Sequence, residues 1–350
     1  MINILKNTKD DIKEAISNQE NGYIDGGMVT YADSIRNIKH INYISDYIVP
    51  VGLKFTGSWG YSFNQFDFSN ITDMSYMFSG TGRRMGYYDG TLDIRYADNI
   101  ELNNTIVNGK NCEGMFSTSY YRYLVIPSLP NAENCSNMFS NCEAYTITLN
   151  SLPSISSGKN MFYTCPNVTT IEINAMSSDI NNTSYMFYGC PNLSLINITT
   201  DTGDDIIYPS NVVSMFRGCS KLSAFPCGIA VDNLSTLNMM YAVCESITRA
   251  NIVGDGSKIT DVTGMFGKCY KLRTFNGITN FGAASDLMNA FDFSFCENLT
   301  SASAKNIIAN LYDRASAGYK IMGITFSIFT DISDEDIAIA TQKGWTILIN

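Results

Sequence analysis

The residues with the most evident chemical potential are ten cysteines, one histidine and a scatter of carboxylates in a chain of 350. Cys142, Cys165, Cys190, Cys219, Cys244, Cys269 and Cys296 each stand three residues after an aromatic residue that usually closes a Met-Phe pair. Cys112 and Cys135 stand three residues before such a pair, and Cys227 stands apart. Thiols in these numbers could form a disulfide framework, hold a metal or act as nucleophiles. No Cys-x-x-Cys occurs and there is one His, which disfavours zinc. That residue, His40, lies between Ile38 and Ile41 and is a poor candidate for the base of a triad. A thiol that recurs once per repeat stacks on its own copies, so the cysteines read as small buried hydrophobes. Synthesis in a cytosol would keep them reduced.

The carboxylates offer no better chemistry. Asp331, Asp334, Glu335 and Asp336 lack the spacing of a calcium loop and read as a helix cap. Asp201, Asp204 and Asp205 read as a solvated loop, with a weak cation site as the alternative. No glycine-rich phosphate loop follows a strand, and no carboxylate pair stands out for glycoside hydrolysis. The sequence therefore assigns no catalytic residue, no metal ligand and no cofactor, and an enzyme is not expected.

What these residues share is a period. Taking the aromatic of each pair as marker gives Phe78, Phe116, Phe139, Phe162, Phe187, Phe216, Tyr241, Phe266 and, less clearly, Phe293. The spacing is about 25 residues, and self-similarity at such a period is the mark of a repeat array. The recurring pairs Met138-Phe139, Met161-Phe162, Met186-Phe187, Met215-Phe216 and Met265-Phe266, with their following thiols, are expected to form one structural core ladder. Apolar residues three, six and often eight positions after the Cys, such as Leu193, Ile196 and Ile198, have the spacing of a short strand with one face inward. The Met-Phe segment reads as a short helical or 3₁₀ turn on the opposite side of the coil. The fold class expected is an α+β repeat solenoid of about nine coils.

Asn70-Ile-Thr-Asp-Met-Ser-Tyr-Met-Phe78, followed elsewhere by Met-Phe-x-x-Cys-x-x-Leu, resembles the BspA-like leucine-rich repeats over about residues 68–302. Thr81 and Ser119 replace the Cys, and Met240-Tyr241 replaces Met-Phe. The resemblance implies a leucine-rich-repeat array at 69–302 with an insertion at 80–111. Flanking it are a helical module at 1–42, a cap at 43–68 built on Phe63, Phe66 and Phe68, and an α/β cap at 303–350. In that last segment Ala302–Tyr312 reads as a helix and Ile324–Phe329 as a strand. Ser333-Asp-Glu-Asp336 reads as the cap of a second helix, and Trp345–Ile349 as a closing strand.

Residues 1–42 carry two capping boxes, Thr8–Asp11 and Thr30–Asp33. Their apolar positions Ile12, Ile16, Tyr31, Ile35 and Ile38 are too few to fold alone and are a candidate docking module. This segment resembles the N-terminal parts of structural proteins of phages that infect gut Bacteroidetes. By that resemblance it would attach the chain to other virion proteins.

A net charge of −10 argues against nucleic acid and against anionic lipid. No stretch is long and apolar enough for a membrane span, and no secretory signal is read at the N-terminus. The expectation is a product of the host cytoplasm. The best binding candidate is the insertion with its neighbour coil: Arg83, Arg84, Tyr87, Tyr88, Arg95, Tyr96, Tyr120, Tyr121 and Tyr123. Tyrosine gives large rigid contact area at low entropy cost. Three functions follow as expectations. The first is a phage head fibre, tail fibre or decoration protein, present in several copies and presenting the array to a host glycan or protein. The second is a bacterial surface adhesin, and the third is a glycan hydrolase.

Overall fold

The computed structural model describes residues 47–48, 52, 54–56, 63–64, 66–88, 91–284 and 291–350. The candidate docking residues Ile12, Ile16, Tyr31, Ile35 and Ile38, and His40, lie outside the described residues. The described chain is a repeating α+β solenoid of stacked parallel strands. A two-stranded sheet pairs β1 (Tyr47–Ile48) with β2 (Phe66–Asp67). A six-stranded sheet follows in chain order: β3 (Arg83–Tyr88), β4 (Thr91–Asn99), β5 (Tyr121–Ile126), β6 (Thr146–Leu149), β7 (Thr170–Met176) and β8 (Leu195–Thr200). All neighbours in it are parallel except β3 and β4, which form an antiparallel hairpin.

The bends around Asp201–Asp205 interrupt the sheet. A second, four-stranded parallel sheet then stacks β9 (Ile206–Ile207), β10 (Gly228–Ala230), β11 (Arg249–Asp255) and β12 (Thr274–Thr279). The last sheet holds β13 (Phe291–Phe293), β14 (Met322–Phe326) and β15 (Trp345–Ile349), interleaved with α1 (Ser301–Ala309) and α2 (Asp334–Gln342). Strand alternation turns Leu124 and Ile126, Ile147 and Leu149, Ile171 and Ile173, and Ile196 and Ile198 into the core, where all are buried.

The Met-Phe segment is not helical, contrary to the sequence expectation. It is a run of linked tight turns. In the first coil Met77 N–H bonds to Met74 O, Ser79 N–H to Tyr76 O and Thr81 N–H to Phe78 O. Between those, Tyr76, Phe78 and Gly80 donate to Glu113, Met115 and Ser117 of the next coil. Backbone donors thus alternate between their own turn and the neighbouring coil, which satisfies a buried segment without a helix. Two residues after the marker, and again two before it, the backbone is left-handed in each coil from Phe78 to Phe266. Gly114, Gly264, Gly80, Gly189 and Gly218 suit those positions, but Tyr76, Tyr185, Thr164, Val243 and Lys268 also occupy them.

A short polar side chain opens each turn. Oδ1 of Asp73, Asn111, Asn134, Asn182, Asn211 and Asp261 accepts the N–H two residues on, closing an Asx turn. Inside, the marker rings stack face to face. Centroid spacings are 5.3 Å for Phe139–Phe162, 5.3 Å for Phe162–Phe187 and 5.4 Å for Phe187–Phe216, with planes within 5°. The ladder runs past the sequence markers at both ends, to Phe55 on Phe78 and to Phe326 on Phe293. Neither Phe55 nor Phe326 sits in a Met-Phe pair, so the repeat signature does not mark them.

In the C-terminal segment α1 stops at Ala309, short of Tyr312, because Asn310 N–H folds back on Asn306, Ile307 and Ile308 O. Leu311 then bridges to Phe281 instead. Strand β14 ends at Phe326, where Ser327 Oγ accepts Phe329 N–H and turns the chain. The capping box at α2 forms between Ser333 and Asp336.

Candidate binding surface

The thiols come first, since they head the list of reactive groups. All ten are free and buried. Cys165, Cys190, Cys219, Cys244 and Cys269 point Sγ at the marker carbonyl of the preceding coil, at 2.9–3.0 Å. The Phe139, Phe216 and Tyr241 carbonyls also accept the N–H of their own coil's turn, so there the thiol fills the second lone pair. Burial pushes the Cys142 thiol up to about 11 and the Cys269 thiol up to about 12. A buried thiol held in its neutral form is a packing and hydrogen-bonding group, not a nucleophile. The substitute Thr81 donates Oγ1 instead to the marker carbonyl of its own coil, Phe78 O, at 2.6 Å.

The acidic loop is likewise occupied with itself. Asp204 Oδ1 accepts Thr202 Oγ1 and Ile206 N–H, and the Thr202 hydroxyl leads in holding its carboxyl below the usual range. Among the described residues no group of three or more His, Cys, Asp or Glu is arranged to hold a metal ion. No described helix is long and apolar enough to cross a membrane.

The outward face of the six-stranded sheet is where side chains stand free of the core. Strand register sets them in rows. One row runs Asn99, Tyr123, Thr146, Thr170 and Leu195; the next runs Val125, Thr148, Glu172 and Asn197. Tyr123, Val125, Tyr145 and Leu195 are about half exposed, at 47–51%. Hydroxyls and amides fill most of the remaining positions, and strand neighbours a few ångströms apart make the face flat and regular.

The β3–β4 hairpin extends this face at its N-terminal edge. It sets Arg83 opposite Tyr96, Arg84 opposite Arg95, Tyr87 opposite Leu92 and Tyr88 opposite Thr91. The Tyr96 ring stacks on Tyr120 of the next coil at 5.9 Å and 14°. Arg122 reaches Asp98 across the same edge at 3.1 Å. Tyr96, Tyr120 and Tyr123 thus belong to one surface. Tyr121 does not: it is buried, its ring lies against Gly82, and burial pushes its hydroxyl well up. The burial order along β5 breaks strict alternation, with Arg122 and Tyr123 both outward, and this turns Tyr121 into the core. Sequence reading also passed over Val125, Tyr145 and Leu195. Strand register finds Leu195 in the Tyr123 row and Val125 in the next row, and Tyr145 directly precedes β6 with its N–H on Arg122 O.

A family model matches residues 54–175 and 181–302; it is described as "Mycoplasma protein of unknown function, DUF285". The chain belongs to the DUF285 family. Its two matched segments meet between the coils marked by Phe162 and Phe187, and the first contains both the hairpin and the tyrosine edge. No curated protein and no solved structure matches the chain. The DUF285 match carries no statement of activity, so function has to be argued from the surface.

Proposed function

We propose that this DUF285 protein is a non-enzymatic adhesion scaffold whose hairpin edge and flat sheet face bind a glycan or protein on a cell surface. One observation carries the reading. A ring-stacked core presents outward rows of Asn99, Tyr123, Thr146, Thr170 and Leu195 and of Val125, Thr148, Glu172 and Asn197, while the thiols are buried. Such a face pays little entropy on binding, because strand pairing already fixes its side-chain spacing. It is polar, sparsely charged and tyrosine-rich at one edge, a composition suited to adaptable hydrogen bonding and ring contact.

The carrier we propose is a phage particle, with several copies attached through residues 1–42 and the array facing the host. The support is the resemblance of that segment to virion structural proteins. A second reading, a bacterial cell-surface adhesin, is favoured by the family description, which names a Mycoplasma protein.

The adhesion reading is tested by probing the full chain on an array of host-surface glycans and proteins. Wild type is expected to bind. A triple variant, Tyr96→Ser, Tyr123→Ser and Tyr145→Ser, should bind at least ~10-fold more weakly with an unchanged melting temperature, as truncated aromatic anchors do. Binding that is indifferent to all three would overturn the use of this face. Proteomics of purified particles and of cell envelopes separates the carriers: recovery from envelopes and from no particle would favour the second.

A further inference from the structure

The turn face, on the other side of the coil from the sheet, carries a second arrangement that the sheet-face reading does not use. One position after the marker the residues run Ser79, Ser117, Ser140, then Tyr163, Tyr188 and Arg217, then Ala242 and Gly267. A hydroxyl row therefore gives way to two aromatics and a guanidinium on consecutive coils. Tyr163 and Tyr188 stack at 5.0 Å and 12°. Tyr185 inclines to Tyr188 by 59° at 5.7 Å, so the two rings make a corner. Arg217 lies over the Tyr188 ring at 5.7 Å, with Nη1 against Met239 Sδ at 2.9 Å. All four side chains are half-buried. Gly189 and Gly218 follow at the next position with left-handed backbones, Gly189 packed against the Thr164 methyl and Gly218 against Gly189.

The charge around this corner is unlike that of the chain as a whole. From Asn134 to Val243 the turn segments include Lys159 and Arg217 and no carboxylate; on the next coil but one after Arg217, Lys268 stands in a turn that Asp261 opens. The acids nearest in coil order, Asp201, Asp204 and Asp205 before Arg217 and Asp232 and Glu245 after it, sit in the connecting segments, and Glu133 at the margin pairs with Lys110 at 3.4 Å. Among the described residues the ion pairs are Lys110–Glu133 and Arg122–Asp98, so Arg217 makes none. Among the described residues Arg217 thus forms no ion pair, donates Nη1 to Met239 Sδ and stands beside three tyrosines.

Resting on the adhesion reading above, we infer that this corner binds an acidic saccharide, with a sugar carboxylate or sulfate on Arg217 and the sugar ring against Tyr185 and Tyr188. Guanidinium recognises such oxyanions through paired donors. The tyrosine rings supply the apolar contact and hydroxyl bonds that a pyranose presents on its two faces. An anionic group of either kind would be drawn there by the Arg217 charge itself.

The test uses the full chain and two probes, oligogalacturonate and chondroitin sulfate oligosaccharide, with neutral oligogalactose as control, followed by titration calorimetry. At least one acidic probe should bind, with affinity falling as salt rises, and the neutral probe should bind at least ~10-fold more weakly. Arg217→Gln and Tyr188→Leu should each reduce binding ~10-fold or more while leaving circular dichroism unchanged, and Arg217→Lys should retain part of it. The Tyr96/Tyr123/Tyr145 triple variant should bind the acidic probe as wild type does. Acidic probes that fail to bind, or whose binding survives Arg217→Gln, overturn the inference even if array binding through the sheet face persists. Poly-glutamate binding as tightly as the sugars, with the same dependence on Arg217, would also overturn it, because the corner would then be an acidic-protein site. Loss of all surface binding by wild type would instead bring down the adhesion reading itself.

Discussion

At the residue scale the thiols are the instructive case. Their recurrence marked them as core, and their place in the ladder agrees. Their hydrogen bonds to carbonyls of the preceding coil were not legible, since the partners lie 26–32 residues upstream. Burial raises two of the thiols above their ordinary value of 9.0, Cys142 to about 11 and Cys269 to about 12. Their contribution to stability is therefore fully present below about pH 9 and is lost as pH rises through 11–12. The urea midpoint should hold steady from pH 7 to 8 and fall above 9, and a Cys142→Ala/Cys269→Ala variant should show a shallower alkaline decline. Tyr241 offers a second test. It stands in the ring ladder between Phe216 and Phe266, and its buried hydroxyl has no hydrogen-bond partner. Tyr241→Phe should raise stability by about 1 kcal/mol in urea titration, since an unsatisfied buried hydroxyl is lost and the ring is kept.

At the element scale the strands were legible and the turns were not. Residues such as Ile171 and Ile173 announce an inward strand face by their spacing alone. The Met-Phe segment misled because its apolar spacing resembles a helical turn, whereas its backbone alternates local and inter-coil bonds. Nothing in Tyr185 or Lys268 announces a left-handed backbone. Val243, like Thr118 and Thr164, is a β-branched residue with a left-handed backbone, here at φ 62°, where other coils use Gly80, Gly189 or Gly218. Val243→Gly should stabilise the fold by about 1 kcal/mol, the strain relieved exceeding the entropy glycine adds to the unfolded chain. Asn182→Ala, which removes an Asx turn, should destabilise it by about 1 kcal/mol. Both are read from thermal or urea denaturation. Helix α2 was legible because its capping box lies within four consecutive residues. The tyrosine edge was half legible: Tyr96 and Tyr123 are exposed on it, but Tyr121 is buried, because parity along β5 breaks between Arg122 and Tyr123.

At the scale of the whole molecule, each coil contacts its neighbours and one ring ladder joins them from Phe55 to Phe326. Stability should then behave as a sum of coils and nearest-neighbour interfaces. Phe162→Ala, in mid-ladder, should lose about 3–5 kcal/mol and split the unfolding transition, because the two halves no longer unfold together. The outer faces carry no such burden. They are free to differ from coil to coil, which is why the tyrosine edge and the Arg217 corner appear where the outward columns change residue type. The division between an invariant core and variable faces rests on the thiols being inside. Mass spectrometry after iodoacetamide treatment of the native chain at pH 8 tests it most directly. All ten cysteines should remain unmodified until denaturant is added, and then all should react. Rapid native labelling of Cys142, Cys165, Cys190, Cys219, Cys244 or Cys269, or a disulfide between any two of them, would contradict the stacked-coil account.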